Sequence, residues 1–261
     1  MDNVNRTLYI PLYGKSYVSS RGILLRDEMA ETIWAAEGFP LKGKAKSKWL
    51  AYYMAMRSLV FDRWTKEKLS ELPDAVVLHL GCGLDSRVSR IGNGGHLWLD
   101  VDFPDVIGER KRYFAETEQY RMIASDIREP AWLENLPHDS AIVVMEGISM
   151  YLQPENLAAV LQNLKTHFEE IHLLMDCYTE FAAKASKYKN PINDVGVHRV
   201  YGLDDPESLQ VLPFLQERDM TPEDLIAQLP RQDQWLFRKL YAGKFARKLY
   251  RLYEYRGRNL P

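Results

Sequence analysis

Cysteine is scarce in this sequence of 261 residues: Cys82 and Cys177 are the two it contains. Neither stands in a C-x-x-C or zinc-type spacing, so a disulfide-stapled scaffold and a cysteine-based metal site are excluded. A reduced, cytoplasmic protein is the expectation. No run of about 18 apolar residues occurs, and no transmembrane helix is expected. The opening residues Met1-Asp2-Asn3-Val4-Asn5-Arg6 lack the basic region and apolar core of a secretory signal. An excess of one charge is missing too. The 34 Lys and Arg against 36 Asp and Glu leave a net charge of -2, which calls for neither nucleic acid nor an anionic membrane as partner. No clustered Asp/Asn set of hard-cation ligands is visible, so no metal is expected.

What is present divides by pattern into three stretches. Residues 1–73 read as mostly helical, with helical stripes over 24–36 and 49–72 and a basic loop between them. Residues 74–176 alternate short apolar runs with helical patterns. The strand candidates are 75–80, 97–101, 121–124, 141–145 and 171–175; helical stretches fall at 104–118, 129–136 and 154–168. That alternation predicts an α/β fold, a doubly wound and mostly parallel sheet covered on both faces. Residues 177–261 are less regular. The stretch 190–206 reads as loop, 222–229 and 232–242 as helices, and 249–255 as an edge strand with antiparallel partners. The expected organisation is a helical cap over 1–73 on an α/β core over 74–261, with a substrate-lining insert around 177–206.

The sharpest local feature is Leu80-Gly81-Cys82-Gly83-Leu84-Asp85-Ser86, directly after the first strand. Glycines there let the chain turn tightly and let a ligand approach the main chain of Gly81, Cys82 and Gly83. A dinucleotide fingerprint requires a third glycine where Ser86 stands. A ligand with an adenosine but no diphosphate does not need it, and S-adenosylmethionine is such a ligand. Three acidic tips follow. Asp100 and Asp102 end the second strand, where a carboxylate can accept from both ribose hydroxyls. Asp102 is assigned to the ribose; the alternative is that one of the pair caps the helix near Pro104. Asp126, with the N–H of Ile127, is placed to meet adenine, the alternative being an ordinary loop aspartate. Glu146, at the tip of the fourth strand, can bind an ammonium group or serve as a structural carboxylate.

These residues resemble a known family. Val77-Leu78-His79-Leu80-Gly81-Cys82-Gly83-Leu84-Asp85-Ser86-Arg87 is similar to a signature segment of the leucine carboxyl methyltransferase family, whose bacterial branch includes tetracenomycin-type polyketide O-methyltransferases. Asp100-Val101-Asp102-Phe103-Pro104, Ser125-Asp126-Ile127-Arg128 with Trp132-Leu133, and Glu146-Gly147-Ile148-Ser149-Met150-Tyr151-Leu152 match in the same order. So do Thr7–Lys15 and Arg57 with Phe61-Asp62-Arg63-Trp64. The resemblance spans roughly residues 7–176. It implies a class I, Rossmann-like methyltransferase fold, S-adenosyl-L-methionine as cofactor, and Lys15 and Arg57 as the cations that hold the methionine carboxylate. Ser86 departs from the family's usual threonine, and Lys15 from the arginine frequent in the bacterial branch.

The resemblance also implies an O-methyltransferase acting on a carboxylate or acidic hydroxyl of a small molecule. A carboxylate is ionised at neutral pH, whereas a phenol profits from a general base. No His–Asp pair stands out among the motifs. His198 and Tyr151 are the candidates for residues near the acceptor. Competing readings are a cofactor-binding protein without transfer activity, an NAD-type oxidoreductase, and a nucleic-acid binder using the tail's Arg and Tyr residues.

Overall fold

The apolar runs become five parallel strands: β1 (Val76–Leu80), β2 (Trp98–Asp102), β3 (Tyr120–Ala124), β4 (Ser140–Met145) and β5 (Glu170–Tyr178). With β6 (Phe214–Glu217) and β7 (Tyr250–Arg258) they form one sheet in the order β3-β2-β1-β4-β5-β7-β6, the last two antiparallel. The structure is a computed structural model that describes residues 5–41, 43–137, 139–186 and 199–259. The order reverses beside β1, between β2 and β4. In an open α/β sheet such a switch point opens a crevice for ligands at the carboxyl ends of the strands.

Helices cover both faces, as a parallel sheet demands. On one face α3 (Lys48–Glu71) lies against β4 and β5, with α1 (Tyr9–Ser19) packed on α3 and α2 (Glu28–Glu37) on α1, and Val77, Ile142, Val144 and Leu174 belong to the core they share. On the other, α6 (Pro154–His167) lays Leu157, Leu161 and Leu164 against Leu78, Val143 and Leu173. Short helices α4 (Arg87–Ile91) and α5 (Pro104–Arg110) follow β1 and β2, and α7 (Glu180–Ala185) follows β5. Helices α8 (Glu223–Ile226), α9 (Arg231–Tyr241) and α10 (Gly243–Arg247) precede β7. Among the described residues, no helix is long and apolar enough to cross a membrane, and no group of His, Cys, Asp and Glu could hold a metal ion.

The differences from the sequence-based expectation have local causes. The helix expected over 24–36 begins only at Glu28, because Leu24 takes φ +63° and Asp27 caps the first turn by accepting from the Ala30 N–H at 2.9 Å. The helix expected over 104–118 stops at Arg110. Beyond it the chain folds back, with the Thr117 N–H on the Tyr120 carbonyl and Glu116 Oε1 accepting from the Met122 N–H at 2.7 Å. Residues 129–136 make only a 3-10 turn, Pro130–Leu133. The tail strand β7 is not the edge. It is covered by β6, whose half-exposed residues carry no strong apolar signal.

Candidate active site

A cleft of about 350 Å³ lies at the carboxyl ends of β1, β2 and β4. It brings together Lys15, Arg57, Gly81, Cys82, Gly83, Asp102, Asp126, Ile127, Glu146 and Tyr151. His198 lies outside the described residues.

The glycine turn forms the floor. Gly81 takes φ +64°, and a Cβ on it would lie 2.2 Å from Ile148 Cγ2, so only glycine fits. Gly83, at φ +52°, is held from both sides. Its N–H donates to Asp102 Oδ2 at 2.8 Å, and its carbonyl accepts from Arg110 Nη1 at 3.0 Å. Asp102 Oδ1 accepts from the Phe103 N–H at 2.8 Å. Burial raises the Asp102 carboxyl above its ordinary range, against the two N–H groups that favour its charge. The carboxylate thus braces the turn while facing the cleft. Asp100 is different. It is fully buried, accepts from Trp98 Nε1 (2.9 Å), Arg110 Nε (2.9 Å) and the Tyr120 hydroxyl (2.6 Å), and its burial, which works to raise the carboxyl, is outweighed by Arg110, His79 and Tyr120, which hold it at about 2. It anchors Arg110 beneath the turn.

The other end of the cleft is a buried charge network. Lys15 Nζ, from α1, pairs with Asp85 at 2.5 Å. Arg57, from α3, donates through Nε to Glu146 at 3.0 Å and through Nη1 to Asp176 at 2.8 Å. Glu146 also accepts from Ser58 Oγ at 2.9 Å and from Arg87. Burial works to raise the Glu146 carboxyl, but Arg57 and Arg87 prevail and hold it at about 2. Asp85, equally buried, is kept well below its ordinary range by Lys15, Arg87 and Arg90. Beneath these, Asp62 takes Arg87 and Arg90, and Asp27 takes Arg90 and the Ser86 hydroxyl. The three N-terminal helical segments are thereby tied to the strand tips through ionised groups. Breaking one such buried pair leaves its partner uncompensated, at a cost of about 3–5 kcal/mol.

Sequence reasoning passed over Asp85, Arg87, Arg110 and Asp176. Asp85 and Arg87 stand inside the glycine motif and could have been flagged as charges that a buried turn must pair. Asp176 and Arg110 offered no signal beyond being charged residues in apolar surroundings. The serine at the third glycine position is 1% exposed and bonded to Asp27. Carboxylates therefore occupy the place where a diphosphate would need backbone N–H groups.

The leucine carboxyl methyltransferase family model matches residues 12–165. The chain belongs to that family. It is 31% identical over 207 residues to the tetracenomycin polyketide synthesis O-methyltransferase TcmP of Streptomyces glaucescens, covering 76% of this chain and 77% of that protein. It is 28% identical over 193 residues to the S-adenosyl-L-methionine-dependent methyltransferase dpfgK of Gibberella zeae, covering 67% of this chain and 65% of that one. A crystal structure from Thermobifida fusca shares the fold at a TM-score of 0.60 and 15% identity, over 94% of either chain. This family member is an S-adenosylmethionine-dependent methyltransferase with the class I fold.

Proposed function

We propose that this methyltransferase places the methyl group on an oxygen of a small apolar molecule, a carboxylate or an acidic hydroxyl. The observation that carries this reading is the state of the titratable groups along the cleft. His79 is 1% exposed, with Nδ1 facing Asp100 Oδ1 at 3.2 Å and Nε2 facing Arg87 Nη1 at 3.3 Å. Glu146 and Asp85 are held strongly ionised by cations, which makes them weak bases. These two carboxylates thus offer positioned charge rather than a free base, and an acceptor already anionic at neutral pH needs none. The O-methyltransferase relative supports the same class of acceptor.

The residues fit the cofactor. The turn at Gly81, Cys82 and Gly83 lines the cleft, so a ligand there can approach the main chain. Asp102 has lone pairs left for ribose hydroxyls. Asp126, whose carboxyl lies below its ordinary range through its bond with Arg128, would meet adenine together with the Ile127 N–H. Glu146 would take the amino group, and Lys15 and Arg57 the carboxylate. When bound, the cofactor supplies a sulfonium-activated methyl group. The chain's part is to orient the acceptor and keep water away.

In this reading residues 1–73 act as a cap on the 74–261 core; of the substrate-lining insert expected around 177–206, residues 187–198 lie outside the described residues. Two buried, unpaired cysteines suit a cytoplasmic enzyme. Neither nucleic acid nor membrane is a partner. On β7, Arg251 pairs with Glu217, and Arg256 and Arg258 with Glu170. Tyr253 and Tyr255 face inward, bonded to the carbonyls of Asp204 and Pro206. The test is incubation of the enzyme and cofactor with a panel of aromatic acids and phenols, followed by mass spectrometry. A product one methylene heavier that reverts in mild alkali is an ester, and one that resists is an ether. Methylation confined to nitrogen or carbon acceptors would refute the reading.

A further inference from the structure

Two carboxylates share the Arg57 guanidinium. Met145 stands opposite Met175 in the parallel register of β4 and β5, so Glu146 and Asp176 are the next residues of adjacent strands. Arg57 Nε donates to Glu146 Oε1 at 3.0 Å, and Nη1 donates to Asp176 Oδ2 at 2.8 Å. Two charged bonds to separate anchors fix both the position and the plane of a rigid guanidinium. The third nitrogen, Nη2, makes no hydrogen bond among the described residues. It lies beside the turn at the tip of β4, 3.3 Å from where a Cβ on Gly147 would stand. Arg57 and Gly147 both line the cleft.

Asp176 is fully buried behind them. Its Oδ1 accepts from the Gly147 N–H at 2.5 Å, and Gly147 takes φ +77°. Its own carbonyl accepts from Ser149 Oγ. One side chain therefore holds both the arginine and the turn that flanks Nη2. Burial raises the Asp176 carboxyl above its ordinary range, against Arg57 and the Gly147 N–H, and Glu146 adds to the rise. A buried ion pair of this kind adds little net stability over apolar side chains of similar volume. What it supplies is orientation.

We propose that Asp176 is a positioning residue for the amino-acid end of the cofactor, setting the plane of Arg57 so that Nη2 is presented to the methionine carboxylate. This rests on the reading above that gives Arg57 that carboxylate, and it adds the residue that aims the guanidinium. Charge alone predicts the opposite effect. Asp176 is an anion close to where another anion would bind, so neutralising it should strengthen binding if only charge counted. If orientation counts, neutralising it should weaken binding.

The test is calorimetric binding of two ligands, S-adenosylhomocysteine and decarboxylated S-adenosylhomocysteine, which keeps the amine and lacks only the carboxylate. Wild type should prefer the carboxylate-bearing ligand about tenfold or more, as a hydrogen bond to a charged group allows. Asp176→Asn puts a donor where Arg57 or the Gly147 N–H needs an acceptor. It should lose most of that preference while its affinity for the decarboxylated ligand stays nearly unchanged. A preference kept or increased in Asp176→Asn overturns the role of Asp176 and leaves the assignment of Arg57 standing. Equal weakening of both ligands marks a general packing role and also overturns the proposal. If Asp176→Asn does not fold, Arg57→Met is compared with Arg57→Met/Asp176→Asn. Lys15 keeps part of the preference in Arg57→Met, and the double variant should match it, because Asp176 has no guanidinium left to aim. A further fall in the double variant overturns the proposal. Arg57→Met with the full wild-type preference overturns the carboxylate reading of Arg57, and the proposal with it.

Discussion

Arg110 Nη1 donates to the carbonyl of Gly83 at 3.0 Å, from the opposite side to the Asp102 carboxylate that takes the Gly83 N–H. The glycine turn is therefore held by side chains as well as by its own conformation. Arg110 is itself fully buried, fixed by Asp100 and stacked over Phe114 with its guanidinium carbon 4.2 Å from the ring centre. A turn in a positive-φ conformation is free to relax unless it is over-determined in this way.

Arg110→Lys keeps a cation beside Asp100 but cannot reach both partners in a planar fork. Affinity for S-adenosylhomocysteine should fall by about 1.5–3 kcal/mol, the usual worth of a lost hydrogen bond to a charged group. Calorimetry measures it, and Arg110→Met, which also strands Asp100, should in addition lower the melting temperature. Unaltered cofactor affinity in Arg110→Lys would show that the turn holds its shape without the clamp.

Asp102→Ala removes the carboxylate from both the turn and the ribose position. The expected loss in cofactor binding is about 1–3 kcal/mol. Asp102→Asn should show a smaller loss, since its amide oxygen can still accept one N–H. If calorimetry gave the same affinity for Asp102→Ala as for wild type, the ribose assignment would fail.

Gly81→Ala meets two separate obstacles. At φ +64° a side chain is strained by about 1–2 kcal/mol, and its Cβ would sit 2.2 Å from Ile148 Cγ2. The single variant should lose cofactor binding and melt at a lower temperature. Adding Ile148→Ala removes the clash but not the strain, so thermal melts should show partial recovery of stability. Full recovery would mean that the backbone conformation costs nothing there.

The parts of the site that the sequence displays are those written in local pattern. Apolar runs of four to six residues marked the parallel strands, and an acid or glycine directly after a run marked a strand tip, as at Gly81, Asp102 and Glu146. Those positions converge because every parallel strand ends at the same edge. Contacts made across the fold are invisible in that pattern. Arg57 and Asp176 are 119 positions apart, yet their side chains meet at 2.8 Å. Nothing in the neighbourhood of either residue announces the other. Asp100 and Asp102 show the same limit at close range. Two carboxylates two residues apart on a strand point to one face, but Arg110 and Tyr120 draw Asp100 into the interior while the turn takes Asp102. The four-residue β6 escaped notice because its side chains are half-exposed and its pairing partner lies far along the chain.

Acid should loosen the cap through the charge network, and the sign follows from Glu146. Its folded carboxyl is held at about 2, against an ordinary value of 4.5, by Arg57 and Arg87 acting against burial. A carboxyl whose folded value is depressed adds stability above its unfolded value and loses it as pH falls toward the folded one. The contribution is therefore complete above about pH 4.5 and drains away between there and about pH 2. Glu146→Gln removes the titrating group and leaves Arg57 and Arg87 short of an anion. At pH 7 it should be less stable than wild type by about 3–5 kcal/mol. The gap should narrow as both proteins are acidified, because wild type alone loses this ion pairing. Urea unfolding of the two proteins at several pH values measures the gap directly. A difference that stays constant down to pH 2 would show that Glu146 owes its place to packing and hydrogen bonds rather than to its charge.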